Sequence, residues 1–220
     1  RGNSLMISDN KIWMYWNDGL ENAPKSVQLC INSWKVQNKN YEVVVLEDNT
    51  ISEWIDIPKF QDTVMTIQAF SNILRIFLLS KYGGIWADAT LWCTKPVDGW
   101  VDNYSDDFFV FSNPTDSRMI ASWFVKSSKD NIILKEWKDR VIDYIENTKV
   151  VINNFWFHGL FEKIYNENID VRSQWDKVLK YSVNMNNVVP NNPLYFSRMS
   201  DADLNDLDNQ SLISLSKKES

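Results

Sequence analysis

The chain has 220 residues, of which 44% are apolar, and this combination predicts a globular protein of one domain with a sizeable core. The formal net charge of −6, with no basic run before the C-terminus, argues against a surface that binds duplex nucleic acid. Two cysteines are too few for a disulfide framework, no apolar run approaches the roughly 20 residues that span a bilayer, and no signal peptide is visible. We therefore expect a cytoplasmic protein with reduced, packed thiols.

The first part of the chain has the pattern of a β-α-β unit. Residues 11–16 (K-I-W-M-Y-W) form a predicted strand, and Pro24 suits the first turn of a helix with apolar residues at i, i+3, i+4 and i+7. Residues 41–46 form a second predicted strand. Such a unit implies a parallel pair joined by a right-handed crossover. A short helix and a loop are expected over residues 52–60.

Residues 68–82 have the pattern of a helix that is apolar around most of its circumference. Its polar positions share one narrow sector of the helical wheel: Gln68, Ser71, Asn72 and Arg75. A surface helix has a broad polar face. We therefore expect this helix to be buried, with its thin polar stripe turned towards a polar cavity.

A double-glycine turn and a short apolar strand follow this helix. Gly83 can take the positive φ angle that ends a helix, and residues 85–87 are apolar enough for an interior strand. Asp88 then comes at the C-terminal end of that strand. Ligands bind at this end of the strands in open α/β sheets, so Asp88 is the first candidate functional residue.

The second half of the chain predicts a hairpin followed by helices. Residues 107–111 and 120–125 are predicted antiparallel strands because a turn signal lies between them. Three helices are predicted after them, one capped by Asp130, one over residues 151–166 and one over 171–181, with a capping box at 200–203.

The run A-F-S-N-I-L-R…L-L-S-K-Y-G-G-I-W-A-D-A-T…K-P, with the opening K-I-W-M-Y-W…A-P…C-I-N-S-W, resembles the capsular polysaccharide synthesis glycosyltransferases. These are relatives of DXD-containing, mannosyltransferase-like enzymes. The match covers residues 11 to about 96 well and the remainder loosely. It implies a GT-A fold: a Rossmann-like α/β domain with a mixed, mostly parallel sheet flanked by helices, and a helical C-terminal part. It also implies one domain over 1–220, with 1–100 binding the nucleotide-sugar and 101–220 on the acceptor side.

The resemblance implies transfer of a sugar from a UDP- or GDP-sugar to a glycan or lipid-linked oligosaccharide in capsular or surface polysaccharide synthesis. Related families are mostly retaining, and many require Mn²⁺ or Mg²⁺, because hard cations neutralise the leaving diphosphate. No nucleic-acid partner is implied. Peripheral association with the inner face of the plasma membrane stays open, since such acceptors are lipid-linked. The competing hypothesis is a non-catalytic protein that binds nucleotide-sugars or glycans on the same fold.

The resemblance assigns Asp88 to the metal, directly or through water. The alternative for Asp88 is a strand-end aspartate that caps a turn. The stricter related families have a second carboxylate where this chain has Thr90, and an aspartate where it has Asn72. Asn72 can still hydrogen-bond a ribose or a donor sugar, but it supplies no charge. These two departures keep the non-catalytic hypothesis open.

Arg75 is assigned by the resemblance to the donor sugar or diphosphate, or to orienting the aspartate. The alternative is a buried structural ion pair. Tyr15 or Trp16 is expected to stack on the nucleotide base, although both could be ordinary core aromatics. Strand alternation sends these two to opposite faces, so only one of them is expected to do so. The remaining donor contacts assigned in this half are Ser71 and Trp86.

Three further groups are candidates. His158 is the lone histidine, and by resemblance it completes the metal shell; the alternative is a core or rim histidine. Lys217 and Lys218 resemble a basic tail that closes over the diphosphate, or they belong to a solvated terminus. Glu47 and Asp48 follow the second strand, where acids contact ribose in dinucleotide folds or form a turn.

Overall fold

The computed structural model describes residues 10–60, 63–153 and 155–183, and the backbone of residues 194–195. Lys217, Lys218 and the predicted capping box at 200–203 lie outside the described residues. Within the part that is described, no helix is long and apolar enough to cross a membrane. Cys30 and Cys93 are buried thiols that form no disulfide with each other, as the sequence predicts.

The strands and helices of the described residues follow the predicted order closely. The strands are β1 (Lys11–Tyr15), β2 (Glu42–Leu46), β3 (Val64–Met65), β4 (Gly84–Ala87), β5 (Trp92–Cys93), β6 (Phe108–Thr115), β7 (Arg118–Ser127), β8 (Val150–Val151) and β9 (Leu194–Tyr195). The α-helices are α1 (Lys25–Gln37), α2 (Ile51–Trp54), α3 (Ile67–Tyr82), α4 (Ile132–Glu146), α5 (Phe155–Glu167) and α6 (Ile169–Lys177). Short 3₁₀ turns occupy Leu20–Asn22, Val97–Gly99 and Val101–Asn103.

The central sheet has five strands in the order β2-β1-β4-β7-β6. β1 pairs in parallel with both β2 and β4. β7 runs antiparallel between β4 and β6, which confirms the predicted hairpin. The result is the expected mixed sheet, in which β7 alone runs against the other four strands. Two small two-stranded pairs, β3 with β8 and β5 with β9, lie outside it.

Helix α3 and strand β4 form the buried centre of the fold. Thr66 caps α3 by accepting a hydrogen bond from the backbone N–H of Ala69 at 3.1 Å. The helix ends at Gly83, which has the predicted positive φ of 69°. Gly84 also has a positive φ, of 100°, and a Cβ there would lie 2.5 Å from the carbonyl oxygen of Lys11. Glycine at this position therefore lets β4 lie directly beside β1.

Three helix starts differ from the sequence predictions. Helix α4 is capped by Asn131 rather than by Asp130, and the Asn131 side chain accepts from the N–H groups of the first turn. Residues 150–151 are not helical because they pair with β3 as β8, so α5 begins only at Phe155. Helix α6 begins earlier than predicted, at Ile169, because Asn168 caps it. Each difference comes from a cap or a strand pairing that periodicity does not reveal.

Candidate active site

A cavity of about 950 Å³ opens at the C-terminal ends of β1 and β4. The polar stripe of α3 faces it, as predicted: Gln68, Ser71, Asn72 and Arg75 all line its wall. Residues from both halves of the chain contribute to this wall, including Trp16, Asp88, Arg118, Ser122 and His158. A cavity at this edge of a mixed α/β sheet is where a ligand is expected.

Arg75 and Asp88 form an ion pair inside this cavity, with 3.2 Å between Arg75 Nη1 and Asp88 Oδ1. The guanidinium also donates to the carbonyl oxygen of Ser122, to the carbonyl oxygen of Ser71 at 3.1 Å and to Ser71 Oγ at 2.8 Å. Burial lowers the pKa of Arg75 and the neighbouring Asp88 raises it. The side chain stays charged because arginine starts from so high a pKa. The expected ion pair is therefore present, and Arg75 lines the cavity as well.

Aromatic rings hold the Arg75 guanidinium in place. Its Cζ lies 4.7 Å from the ring centre of Trp86 and 6.0 Å from that of Phe157. The indole N–H of Trp86 donates to Asp88 Oδ1 at 2.8 Å. Trp86 is only 1% exposed, so its clearest role in the structure is to orient Asp88, and its assignment to the donor stays a prediction.

Asp88 lines the cavity, and its protein partners bind one carboxylate oxygen only. Trp86 and Arg75 both bind Oδ1, and within the described residues Oδ2 accepts no hydrogen bond. The Asp88 side chain is 33% exposed. The turn that follows β4 is held by the backbone, with Leu91 N–H donating to Asp88 O at 3.0 Å. The carboxylate therefore does not cap this turn, and the partly exposed side chain is available to a ligand in the cavity.

His158 lines the same cavity as Asp88. Across the described residues, no group of three or more His, Cys, Asp and Glu side chains could hold a metal ion. Asp88 and His158 are the one carboxylate and the one imidazole among the described residues that line this cavity. Mg²⁺ is commonly bound by one or two carboxylates together with substrate phosphates and water, so this small set fits a cation that is completed by the donor.

Tyr15 and Trp16 both line the cavity, and the expectation that one of them stacks on the nucleotide base stays a prediction. β1 ends at Tyr15, and strand alternation does not extend to Trp16. The Tyr15 hydroxyl donates to Asp48 Oδ1 at 2.6 Å, and burial, reinforced by this bond, raises the pKa of Tyr15. Trp16 is half-buried whereas Tyr15 is buried, so Trp16 is the more accessible of the two to a nucleotide base.

Glu47 and Asp48 have local roles in the structure. The backbone N–H of Thr50 donates to the carbonyl oxygen of Glu47 at 3.0 Å, which closes a turn after β2. Asp48 accepts the hydroxyl of Tyr15. Neither acid is among the described residues that line the cavity. The turn interpretation is therefore the one that the geometry supports.

β7 contributes a wall of the cavity that the sequence patterns do not predict. Ala87 of β4 pairs with Phe124 of β7, and the backbone N–H of Asp88 donates to the carbonyl oxygen of Trp123 at 2.9 Å. This places Ser122 and Trp123 beside the carboxylate. The hairpin was predictable from its turn signal, but its position next to β4 depends on a non-local pairing.

Comparisons with known proteins agree with this architecture. The family described as "Capsular polysaccharide synthesis protein" matches residues 2–217 of the chain. The O-glycosyltransferase braB of Annulohypoxylon truncatum is 24% identical over 154 residues, which cover 60% of this chain and 37% of that protein. The glycosyltransferase afumC of Aspergillus fumigatus (strain CBS 144.89 / FGSC A1163 / CEA10) is 24% identical over 150 residues, covering 58% and 38%. The chain thus spans less than two fifths of the length of these relatives.

Among solved structures, the PaToxG glycosyltransferase is similar to this chain with a TM-score of 0.51 and 19% identity, over 76% of this chain and 74% of that one. This likeness concerns the fold, and it confirms the expected GT-A-type architecture. The family match extends over nearly the whole chain. The chain therefore belongs to the capsular polysaccharide synthesis protein family.

Proposed function

We propose that the chain is a glycosyltransferase that moves a sugar from a nucleotide-sugar donor to a hydroxyl group of a glycan acceptor. The observation that carries this proposal is Asp88, which Arg75 and Trp86 hold through Oδ1 and which is partly exposed at the wall of a cavity of about 950 Å³ at the strand ends. A cavity of this size can hold a nucleotide-sugar. Family membership and the glycosyltransferases among the relatives support the same reaction class.

In this proposal Asp88 and His158 hold a divalent cation, Mn²⁺ or Mg²⁺. When bound, the cation neutralises the charge that develops on the leaving nucleoside diphosphate. Asn72 and Ser71, on the α3 stripe, hydrogen-bond the donor sugar or ribose. Trp16 is the better placed of the two first-strand aromatics to stack on the base. Arg75 keeps Asp88 in position and adds a fixed positive charge beneath the diphosphate.

The acceptor side is assigned to the wall that comes from the second half of the chain. β7 supplies Ser122 and Trp123, and the segment before and at the start of α5 supplies Asn153 and Phe155. The donor would then contact residues of the first 100 positions, together with the cation ligand His158, and the acceptor would contact the other later residues. This division of one domain into two functional halves is part of the proposal.

A retaining reaction is the stereochemical outcome that we propose. Asp88 is the single carboxylate among the described residues that line the cavity, and its Oδ1 is already bound to Arg75 and Trp86. A double-displacement route requires a second carboxylate about 5 Å from the first. In a same-face reaction the donor C–O bond to phosphate breaks, the acceptor oxygen bonds to the same carbon, and its proton passes to the departing phosphate oxygen. No protein base is then needed.

A second candidate is a protein that binds nucleotide-sugars without turning them over. Thr90 and Asn72 favour it, because both line the cavity where related enzymes carry carboxylates. The two candidates share the donor site, so they differ in turnover and not in binding. A catalytic protein releases nucleotide and transfers sugar, whereas a binding protein only saturates with donor.

The test is release of nucleotide from a panel of UDP- and GDP-sugars with Mn²⁺, with and without oligosaccharide acceptors. We expect turnover with one donor, and we expect Asp88→Asn to reduce it by at least about a hundredfold. Asp139→Asn, which makes the same change on the exposed face of α4, is the matched control and should retain full activity. Saturable donor binding without turnover in the unmodified chain would establish the binding protein instead.

A further inference from the structure

A second cavity, of about 540 Å³, lies between one face of α6 and residues 104–108, and we call it the α6 cleft. Phe108, the first residue of β6, lines it, and its register partner Ser127 also pairs with Gly84, the first residue of β4. The α6 cleft is therefore at the edge of the sheet where β4 and β6 begin, whereas Asp88 follows the end of β4. No described residue lines both cavities, so a ligand in the α6 cleft would leave the candidate active site open.

One wall of the α6 cleft is a polar face of helix α6. Four side chains line the cleft at the i, i+3, i+4 and i+7 spacing of a single helix face: Asp170, Ser173, Gln174 and Lys177. Trp175 anchors the helix in the core, where its ring centre lies 5.3 Å from that of Phe161. This wall therefore presents a carboxylate, a hydroxyl, an amide and an ammonium group from a helix that is fixed in position.

The facing wall is a short segment that its own contacts hold in place. Ser105 Oγ accepts a hydrogen bond from the backbone N–H of Asp107 at 3.2 Å. The ring of Tyr104 packs against the rings of Phe109 and Tyr181, with centres 5.3 and 5.4 Å away. Tyr104 is half-buried and lines the cleft, so its exposed part is open to a ligand. This wall adds an aromatic side chain and a second carboxylate, that of Asp107, to the polar groups of α6.

Gln174 has a polar atom that its own surroundings leave unsatisfied. Its Oε1 is buried, and within the described residues it accepts no hydrogen bond. A buried carbonyl oxygen in this state costs free energy, which a hydrogen-bond donor would recover. The terminal torsion of glutamine is soft, so the amide can turn towards a ligand in the cleft. A hydroxyl group suits either end of the amide because it both donates and accepts.

The charges of the α6 cleft favour a neutral ligand. Its described lining contains two carboxylates, those of Asp107 and Asp170, against one ammonium group, that of Lys177. A phosphate or another anion would be repelled there, in a chain whose net charge is −6. Sugar hydroxyls donate to carboxylates and accept from ammonium groups, and the apolar face of a sugar packs against an aromatic ring. The lining therefore has the groups that recognise a neutral sugar.

We propose that the α6 cleft is a second carbohydrate-binding site, which takes a neutral oligosaccharide and is separate from the site of transfer. This goes beyond the proposed function, because binding in the cleft needs neither a nucleotide-sugar nor a cation. Sugar hydroxyls would bond to Asp107, Asp170 and the amide of Gln174, and one sugar ring would lie against Tyr104. A long glycan held in this way would stay on the protein while the candidate active site exchanges its donor.

Backbone amide chemical shifts test the site during titration with neutral pentasaccharides of glucose, mannose, galactose or N-acetylglucosamine, without nucleotide or metal. At least one of them should shift the signals of residues 170–178 in a saturable way. Gln174→Met keeps the length of the side chain but removes the amide, and it should raise this Kd about fivefold to tenfold. Its melting temperature should stay the same or rise, because an unsatisfied buried oxygen is removed. Gln37→Met makes the same change at a half-buried position of α1 and should leave the Kd unchanged.

A second variant, Ser173→Arg, fills the cleft from an exposed position of α6 and should also weaken binding. The assignment is overturned if no pentasaccharide shifts the signals of residues 170–178, or if both variants bind as tightly as the unmodified chain. It is overturned in favour of a cation site if CaCl₂ alone shifts these signals and the pentasaccharides do not.

Nucleotide release with a methyl glycoside acceptor is measured on the same proteins, and Gln174→Met should not change it because the two cavities share no described residue. Saturable binding in the cleft without nucleotide release supports the second site and contradicts glycosyl transfer. Nucleotide release without binding in the cleft supports glycosyl transfer and overturns the second site.

Discussion

The Arg75 guanidinium and the Asp88 carboxylate lie 3.2 Å apart, yet Arg75 is 5% exposed and Asp88 is 33% exposed. The arginine belongs to the core, and the aspartate stands at the boundary between the core and the cavity. The pair therefore fixes an acid that would otherwise rotate freely at a strand end. We regard Arg75 as a positioning residue whose removal changes the geometry of Asp88 first.

Arg75→Met should reduce turnover by about tenfold to a hundredfold. Without the guanidinium the Asp88 carboxylate moves from its position, and a shift of about 1 Å in a catalytic group can slow a reaction by this factor. The same substitution should also lower stability by about 1–3 kcal/mol, less than for a fully buried pair because Asp88 remains partly hydrated. Steady-state kinetics and urea unfolding measure the two effects. Trp86→Phe removes the N–H bond to Asp88 but keeps Arg75 and an aromatic ring, so it should reduce turnover less than Arg75→Met does. Equal turnover in Arg75→Met and the unmodified chain would contradict a positioning role.

Thr90→Asp should strengthen cation binding by restoring a second carboxylate two residues after Asp88. Thr90 lines the cavity, and the affinity of oxygen-ligand sites rises with the number of charged ligands. We expect the Mn²⁺ concentration for half-maximal nucleotide release to fall about tenfold. Thr90→Asn has the same size without the charge and serves as the control. If Thr90→Asp and Thr90→Asn change the Mn²⁺ concentration for half-maximal release equally, the added negative charge does not strengthen cation binding and the prediction is wrong.

Cys93 should make the fold sensitive to alkaline pH. Burial raises the pKa of its thiol to about 11, and the side-chain amide of Asn38 opposes this shift in part. Because the folded pKa lies above the unfolded one, the stabilising effect is complete below about pH 8.5 and is lost as the pH rises through about 11. The free energy of unfolding should fall across this window.

Urea unfolding at several pH values between 8 and 11 tests this, with Cys93→Ala as the comparison. The variant should have lower stability at pH 8 because a buried sulfur is removed, but a shallower decline above pH 9. Other groups that titrate in this range, such as Tyr41, affect both proteins equally. Parallel declines in the two proteins would show that Cys93 does not contribute.

Gly84→Ala should destabilise the sheet strongly. Its φ of 100° disfavours any side chain, and the new Cβ would lie 2.5 Å from the Lys11 carbonyl oxygen on the neighbouring strand. We expect a loss of about 2–4 kcal/mol in the free energy of unfolding. Gly159→Ala is the matched substitution: nothing lies within 4 Å of its added Cβ, and it sits within α5. That variant should be neutral or more stable by up to about 1 kcal/mol, since alanine favours helix.

The sequence predicts what is local and misses what depends on distant pairing. The helix-glycine-strand-aspartate unit was predictable because the stripe, the turn and the strand are encoded within residues 68–88. The position of β7 against β4 was not, so Ser122 and Trp123 were missed at the site. The start of α5 was placed too early for the same reason, since Val150 and Val151 are recruited into a strand by β3.

Mn²⁺ binding followed by electron paramagnetic resonance in the presence of UDP tests the central claim that Asp88 anchors the cation and the diphosphate. In the unmodified chain we predict saturable binding that UDP strengthens. In Asp88→Asn, the Kd for Mn²⁺ should rise at least about tenfold, which corresponds to about 1.4 kcal/mol. Asp139→Asn should match the unmodified chain. A Kd that is the same in Asp88→Asn and in the unmodified chain would contradict the account.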